Sequence, residues 1–106
     1  MSNGLYVLDD NGEPLLMDDL HVWARWLESH KSTTVLAQDM AANEDVVVLI
    51  STVFGGVDHN WGEGLPILWE TMIFGGPHDG YSERYTSRDE ARIGHAEAVA
   101  MVRRAR

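Results

Sequence analysis

Carboxylate and imidazole side chains occur beside the most strand-prone part of this sequence. Asp58 and His59 follow a β-prone run, Glu70 lies inside the apolar run 65–74, and His78 lies in the glycine-rich turn after it. If the two turns met at one end of a sheet, these side chains would supply the ligands that divalent metals bind. Their spacing matches no established motif such as His-Glu-x-x-His. A small metal-dependent enzyme is therefore an alternative hypothesis, and we assign no metal site and no cofactor.

Two other arrangements of these residues have a chemical interpretation. Asp58 and His59 with Ser51 or Thr52 contain the residue types of a hydrolase triad, but neither a nucleophile elbow nor an oxyanion-hole segment surrounds the serine. Glu70, in the middle of a strand, either pairs with a cation, such as an arginine of the last helix, or faces solvent or a cleft. We therefore assign no catalytic residue and favour a non-enzymatic function.

Negative charge is concentrated in the first 80 residues. They hold thirteen carboxylates against Arg25 and Lys31, a net charge of −11, whereas residues 81–106 hold six arginines against four carboxylates, a net charge of +2. Such an acidic surface repels nucleic acid and anionic lipid and is steered towards a basic partner, although solubility alone also explains it. The arginines near the C-terminal end complement a helix dipole, which weakens a nucleic-acid interpretation of them.

The partner that this charge favours is a protein with a basic surface, without direct contact to nucleic acid or a membrane. Trp61 lies in a polar, glycine-containing loop, where an indole either folds back on the sheet or anchors a partner. The predicted partner-binding residues are Asp9, Asp10, Glu13, Asp18, Asp19, Asp39, Glu44, Asp45, Trp61 and Glu63.

Length and composition favour one small domain over residues 1–106. The chain has 106 residues, which is too short for two domains that each bury a stable core. Hydrophobic residues make up 44% of it, which is enough for one compact core. No apolar run approaches the roughly 18 residues of a membrane span, and the N-terminal residues lack a secretory pattern. The sequence contains no cysteine, which excludes disulfides and a thiol nucleophile. We expect a cytoplasmic protein.

Strand-forming runs alternate with glycine-rich turns through most of the chain. A run at 5–8 and the Asn-Gly turn at 9–14 predict a hairpin, with 15–17 as the returning strand. Both parities of 46–54 are apolar, which predicts a central strand covered on both faces. Pro66 must lie at the start of its strand or on an edge, because it cannot donate to the ladder. The strands expected after the hairpin are 33–40, 46–54, 65–74 and 81–85.

Two helices are predicted, one near each end of the chain. Asp18 is expected to cap a helix over 18–29, with Asp19 in its first turn. Residues 87–90 form a capping-box pattern that begins a helix running to Arg104. The order of elements predicts the α+β class, a small, mainly antiparallel sheet with two helices packed on one face. The residues expected on the core face of the last helix are Ala91, His95, Ala98, Val99 and Val102.

Three stretches, 5–29, 51–76 and 84–102, carry a resemblance to known proteins. They contain an S-T-V-F strand, a D-H pair, a glycine-bearing loop, an E-T-M-x-F strand and a terminal G-H helix. In this pattern the chain resembles a group of short, uncharacterised bacteriophage and prophage proteins. The resemblance implies a viral or mobile-element origin and residence in the cytoplasm of a host cell, and it transfers no catalytic residue.

These observations support three hypotheses of different classes. The favoured one is a non-enzymatic phage or mobile-element accessory protein that binds a host macromolecule, for instance an acidic nucleic-acid mimic that inhibits a host defence complex as anti-CRISPR proteins do. The second is a self-associating structural or interaction protein, a homodimer formed through the strand near Trp69 or Phe74. The third is the small metal-dependent enzyme described above.

Overall fold

Two antiparallel sheets and three helices make up residues 4–42, 45–60 and 64–104, the part of the chain that the computed structural model describes. Strands β1 and β2 form a hairpin, and β3 to β6 form the main sheet. The predicted α+β class with antiparallel pairing is confirmed. In chain order the elements are β1 (Tyr6–Leu8), β2 (Pro14–Leu16), α1 (Leu20–Ser29), α2 (Lys31–Thr34), β3 (Val35–Ala42), β4 (Val47–Phe54), β5 (Trp69–Phe74), β6 (Ser82–Tyr85) and α3 (Arg88–Arg104).

The main sheet is a meander in which each strand pairs with the next along the chain, in the order β3-β4-β5-β6. Strand β4 lies in the interior of the sheet, as its apolar residues at both parities predict. The antiparallel register places Thr52 opposite Thr71. The turn after β5 requires glycine, because Gly75 has a φ of 91° and a Cβ there would lie 2.5 Å from the Val47 carbonyl oxygen.

Helix α3 lies across one face of the main sheet and closes the core there. Each large apolar side chain buried beneath it contributes about 1.5–3 kcal/mol relative to exposure. One buried cluster joins the sheet to the C-terminal half of the helix and contains Val48, Ile50, Ile73, Ala98 and Val102. A second cluster lies under the N-terminal half and contains Phe54, Leu68, Trp69, Tyr85 and Ala91.

The opposite face of the main sheet, the outer face, carries exposed apolar side chains. Met40, Val47 and Phe74 are 69%, 59% and 46% exposed, and Leu49 and Met72 beside them are half-buried. The expectation that β4 is covered on both faces is therefore wrong for Val47. Strand β4 has apolar residues at both parities because one set faces α3 and the other set belongs to the exposed apolar row of the outer face.

Residues 4–34 form the N-terminal lobe, which consists of the β1–β2 hairpin, α1 and α2. The hairpin turn is built by Asp9, whose Oδ1 accepts hydrogen bonds from the amides of Asn11 at 2.8 Å and Glu13 at 3.0 Å. An aspartate that binds the amides of its own turn stabilises that turn locally. The predicted hairpin is thus confirmed, with its turn at the predicted position.

The cap of α1 lies one residue later than predicted. The Oδ1 atom of Asp19 accepts hydrogen bonds from the amides of His21 and Val22, at 2.9 and 3.1 Å. Asp19 is therefore the N-cap instead of Asp18, and the helix begins at Leu20.

Helix α1 contains no buried residue and is attached to the end of β4 through its tryptophans. The Trp23 indole donates to the carbonyl oxygen of Gly56 at 3.1 Å. The Trp26 ring stacks on His30, with ring centroids 4.4 Å apart, and meets Phe54 edge-on at 6.2 Å. Both tryptophans are half-buried, so they anchor the helix without forming a core of their own.

Strand β3 begins later than predicted because a short helix precedes it. The amides of Thr33 and Thr34 both donate to the carbonyl oxygen of His30 at 3.0 Å, which closes the single turn of α2. The strand then runs through Ala42, two residues beyond its predicted end at 40.

Strand β5 begins at Trp69 although the apolar run begins at 65. The Asp58 carboxylate accepts a hydrogen bond from the amide of Ile67 at 2.9 Å, and it also accepts from the amide of Asn60 at 2.7 Å. These bonds hold the segment before the strand in a loop, and Pro66 has no amide to donate to a ladder.

Helix α3 begins with the predicted capping box in a modified form. The Glu90 amide donates to the Ser87 hydroxyl at 3.1 Å, but the Glu90 carboxylate accepts mainly from the Thr86 hydroxyl, at 2.7 Å, and from the Thr86 amide, at 3.3 Å. These hydrogen bonds, with that of the Thr86 hydroxyl the largest cause, lower the pKa of Glu90 below its ordinary value.

Candidate functional site

A chain of five hydrogen-bonded side chains, the polar chain, crosses the core between the main sheet and α3. The Tyr85 hydroxyl donates to Thr71 Oγ1 at 3.1 Å, and the hydroxyls of Thr71 and Thr52 share a hydrogen bond. Thr52 Oγ1 lies 2.7 Å from Nδ1 of His95. At the far end His95 Nε2 lies 2.7 Å from Oδ2 of Asp39.

Strand register and one glycine bring the members of the polar chain together. Thr52 and Thr71 are direct cross-strand partners on the face towards α3. Tyr85 reaches beneath the helix because Gly94 has no side chain, and a Cβ on Gly94 would overlap the Tyr85 ring. His95 follows Gly94 and is buried beside it.

Hydrogen-bond chemistry orders the protons along the polar chain. A carboxylate only accepts, so His95 Nε2 donates to Asp39. In the neutral imidazole, Nδ1 then accepts a hydrogen bond from the Thr52 hydroxyl. The Thr52 hydroxyl in turn accepts from Thr71, and the Thr71 hydroxyl accepts from Tyr85. Each of these three hydroxyls therefore has a partner for its proton.

The order carboxylate, imidazole, hydroxyl is also the order of a nucleophile with its base and its orienting group. Thr52 and Thr71 are both 0% exposed, however, so neither hydroxyl is accessible to a substrate. Burial raises the pKa of Tyr85, although its hydrogen bond to Thr71 opposes this shift, so the phenol remains a donor. The polar chain is therefore a structural network that is buried except at Asp39, and it takes Thr52 away from any triad with Asp58 and His59.

Five predicted partner-binding residues are exposed on the N-terminal lobe. Glu13 lies 3.7 Å from the Nη2 atom of Arg88, the first residue of α3. Two of the others serve the turn and the helix cap described above. We call this group the acidic surface, and it consists of Asp9, Asp10, Glu13, Asp18 and Asp19.

The remaining predicted partner-binding residues lie elsewhere. Asp39 is on β3, and its carboxylate, 46% exposed, binds His95. Asp45 is exposed before β4. Glu44, Trp61 and Glu63 lie outside the described residues, so their assignment stays a prediction.

The side chains of the metal hypothesis are not brought together. His59 precedes β5 and His78 follows it, so a strand of six residues separates their turns by about 20 Å. The condition on which the metal hypothesis depends, that these turns meet at one end of the sheet, is therefore not met. Among the described residues, which include Asp58 and Glu70, no three His, Asp or Glu side chains lie close enough to hold a metal ion.

Glu70 is paired on the outer face of the main sheet. Its Oε2 atom accepts hydrogen bonds from the Ser82 hydroxyl at 2.7 Å and from Nε of Arg84 at 3.1 Å. The cation comes from β6 and not from the last helix, because the register places Arg84 directly opposite Glu70. Glu70 thus has a structural partner.

A cleft of about 420 Å³ lies between the hairpin turn and the start of α3. Arg88 bridges the two sides, since its Nη1 donates to the carbonyl oxygen of Asn11 at 3.2 Å. The buried Nε of Arg88 has no hydrogen-bond partner among the described residues. The cleft is lined by Leu8, Asp9, Asp10, Asn11, Gly12, Trp26, His30, Thr33 and Arg88.

Comparison with known proteins adds no relative. No family model, no curated protein and no solved structure matches this chain. Within 4–42, 45–60 and 64–104, no helix combines the length and the apolar character needed to cross a bilayer.

Sequence reasoning identifies His95 as a core-face residue but does not identify its partners. Thr71 and Tyr85 belong to the polar chain, and nothing in the spacing of either residue predicts this. Gly94 is the available signal, because glycine inside a helix costs about 1 kcal/mol relative to alanine and needs a packing reason.

Proposed function

We propose that this protein acts without catalysis, as a phage or mobile-element accessory protein that binds a basic surface on a host macromolecule. It binds through the acidic surface of the N-terminal lobe. Where the partner is a host defence complex, the carboxylates occupy its nucleic-acid-binding site and inhibit it. The observation that carries the proposal is the mixture of exposed carboxylates and exposed apolar side chains within residues 9–22.

The apolar side chains of this segment favour a protein as the partner. Leu15, Leu16 and Leu20 are 52%, 49% and 58% exposed, and in the sequence the first two lie between Glu13 and Asp18 while the third follows Asp19. A protein partner that covers them gains about 25 cal/mol for each Å² of apolar surface removed from water. The carboxylates speed and orient its approach.

The charge balance of the lobe favours a basic partner. Residues 4–34 contain six carboxylates and two cations, and one of these cations, Lys31, lies 3.3 Å from Glu28. Asp9 and Asp19 are already held by hydrogen bonds of the turn and the cap. Side chains that are ordered before binding lose less entropy on association, so these two carboxylates are preorganised for a partner.

Reversal of two charges tests the proposal. The double variant Asp10→Lys with Asp18→Lys leaves the turn and cap aspartates intact. Immobilised wild-type protein should capture a partner from bacterial lysate, and the partner should elute as salt shortens the Debye length from about 10 Å towards about 3 Å. The double variant should fail to capture it.

The matched control is Glu83→Lys with Glu97→Lys, which makes the same charge change at exposed positions of β6 and α3. This control should retain the partner. Equal capture by the two double variants, capture that resists salt, or no captured partner at all would contradict the proposal.

A second candidate function, self-association into a homodimer, is favoured by the outer face of the main sheet. Met40, Leu49 and Phe74 are neighbours in register across three strands and form a continuous apolar row. Four strands of about six residues give a face of about 400 Å², against about 800 Å² per partner in standard interfaces. The expected dimer is therefore weak.

Charge on the outer face permits the approach of a second copy. The Glu70 carboxylate on this face is neutralised by Arg84, although the chain as a whole has a net charge of −9. Two like-charged copies meet with the least repulsion through a surface whose charges are paired.

Sedimentation velocity at a low and a high protein concentration tests the homodimer. Phe74→Asp should abolish a dimer that forms at high concentration, whereas Ile93→Asp, at an apolar position on α3 that is 64% exposed, should leave it intact. A monomer at both concentrations would contradict this candidate.

A further inference from the structure

A groove of about 550 Å³ runs between α3 and β3, on the side of the molecule away from β6. Its floor is formed by Ala96, Val99 and Ala100 of α3, whose small side chains leave space between the helix and the strand. The lining residues are Asp39, Arg92, His95, Ala96, Val99, Ala100, Arg103 and Arg104.

One wall of the groove is the edge strand of the main sheet. Strand β3 pairs with β4 on one side, and no strand in the described part of the chain pairs with its other side. Its eight residues contain neither proline nor lysine, the residues that commonly block an edge. Asp39 of this strand lines the groove, and the amides and carbonyls of Leu36 to Ala41 that point away from β4 face no other strand in the described part of the chain.

The charge of the groove is opposite to that of the chain. Arg92, Arg103 and Arg104 are exposed, and none forms an ion pair with a described carboxylate. The carboxylate of Asp39 in the groove is held by His95. The groove thus contains three guanidinium groups and one carboxylate, although the net charge of the protein is −9.

We propose that this groove binds an extended acidic peptide segment of a partner protein, which adds as a strand to the free edge of β3. Strand addition provides main-chain hydrogen bonds, and alternate side chains of the added strand then point towards α3. Arg92 and Arg103 are eleven positions apart, about 17 Å along the helix axis. Carboxylates four or six residues apart in an extended peptide, about 13 or 20 Å, reach both arginines.

A peptide suits the groove better than nucleic acid does. The floor is apolar, and a strand edge pairs with another peptide backbone. A densely charged polyanion is also repelled by the −9 charge of the chain, whereas a peptide with a few carboxylates is repelled less. This site is separate from the acidic surface and selects a ligand of the opposite charge.

Fluorescence anisotropy with a labelled ten-residue peptide of alternating glutamate and valine measures this binding. Arg103→Glu should weaken the affinity roughly fivefold or more, and Arg25→Glu, the same change at an exposed arginine of α1, should leave it unchanged. Ala96→Trp, which fills the groove, should also abolish binding. Asp10→Lys with Asp18→Lys should not weaken it, which separates this site from the acidic surface.

N-methylation of the peptide on alternate residues distinguishes strand addition from charge attraction alone. One of the two alternately methylated peptides should lose binding, because only one set of amides faces β3. Equal binding of both methylated peptides, equal loss with Arg25→Glu, or comparable binding of a single-stranded oligonucleotide would overturn the proposal. So would a dimer of the free protein that Arg103→Glu dissociates, since the occupant would then be a second copy.

Discussion

The N-terminal lobe and the main sheet with α3 are stabilised in different ways. In the lobe, Val7 is the one buried residue, and the turn and the helix cap are held by contacts between near neighbours in the chain. The main sheet and α3 bury two apolar clusters and the polar chain, whose His95 and Asp39 are 56 positions apart. The acidic surface therefore belongs to the region with fewer buried residues, and its position depends on the contacts of the lobe with the main sheet and α3.

This difference also separates the surfaces. The lobe presents carboxylates on locally stabilised structure, whereas the groove beside β3 presents arginines on the most deeply packed helix. Regions with few buried contacts open at lower free energy than the core does. We expect the lobe to move as it meets its partner, while the Asp9 turn and the Asp19 cap keep their local geometry, and we expect the groove to bind with little change.

Gly94→Ala should have the largest effect, because it damages the packing of the main sheet and α3. In an exposed helix this change stabilises by about 1 kcal/mol. Here the added Cβ overlaps the Tyr85 ring, so the free energy of unfolding should fall by about 3 kcal/mol. Urea unfolding followed by circular dichroism measures it. The loss should shrink in a Tyr85→Leu background, and a stabilised single variant would refute the overlap.

Thr52→Val should have the next largest effect, because it breaks the polar chain at its centre. The change keeps the shape of the side chain but leaves His95 Nδ1 without its Thr52 partner and the Thr71 hydroxyl with only its hydrogen bond from Tyr85. The free energy of unfolding should fall by about 2 kcal/mol. Thr33→Val, at an exposed position in α2, is the matched control and should stay within about 0.5 kcal/mol of wild type. Equal effects of the two variants would argue against a stabilising role for the chain.

Trp26→Ala should destabilise the lobe selectively. It removes the stack on His30 and the edge contact with Phe54, at a cost of about 1 kcal/mol for this half-buried ring. Amide hydrogen exchange should accelerate throughout residues 4–34 and much less in β4 and β5. The neighbouring Arg25→Ala should change neither region. Uniform acceleration would show that the two regions unfold as one unit.

Glu90→Gln should have the smallest effect, which depends on pH. Because the pKa of Glu90 is lower in the folded protein than its ordinary value of 4.5, its stabilisation is present above that value and is lost as pH falls through the lowered pKa. The melting temperature of the variant should therefore lie below that of wild type near neutral pH and converge with it in acid. Asp89→Asn controls for the loss of a charge in the same turn. A difference that does not vary with pH would rule out this linkage.

Features decided by near neighbours were predictable from the sequence. The Asn11-Gly12 turn and the capping box of α3 are found where the residues indicate them. The one-residue error in the cap of α1 arises because Asp18 and Asp19 are both good caps, and the sequence alone does not choose between them. Boundaries set by a distant partner, such as the start of β5 that Asp58 determines, were not predictable.

The sequence by itself determined the α+β class, the interior position of β4 and the acidity of residues 1–80, because composition and periodicity carry these properties along the chain. Only the tertiary structure decided that His59 and His78 lie at opposite ends of β5, and that Thr52 meets His95. It also decided that one face of the main sheet stays open and that the arginines of α3 line an edge strand. Strand order and register fix these contacts, and they join residues that no local pattern relates.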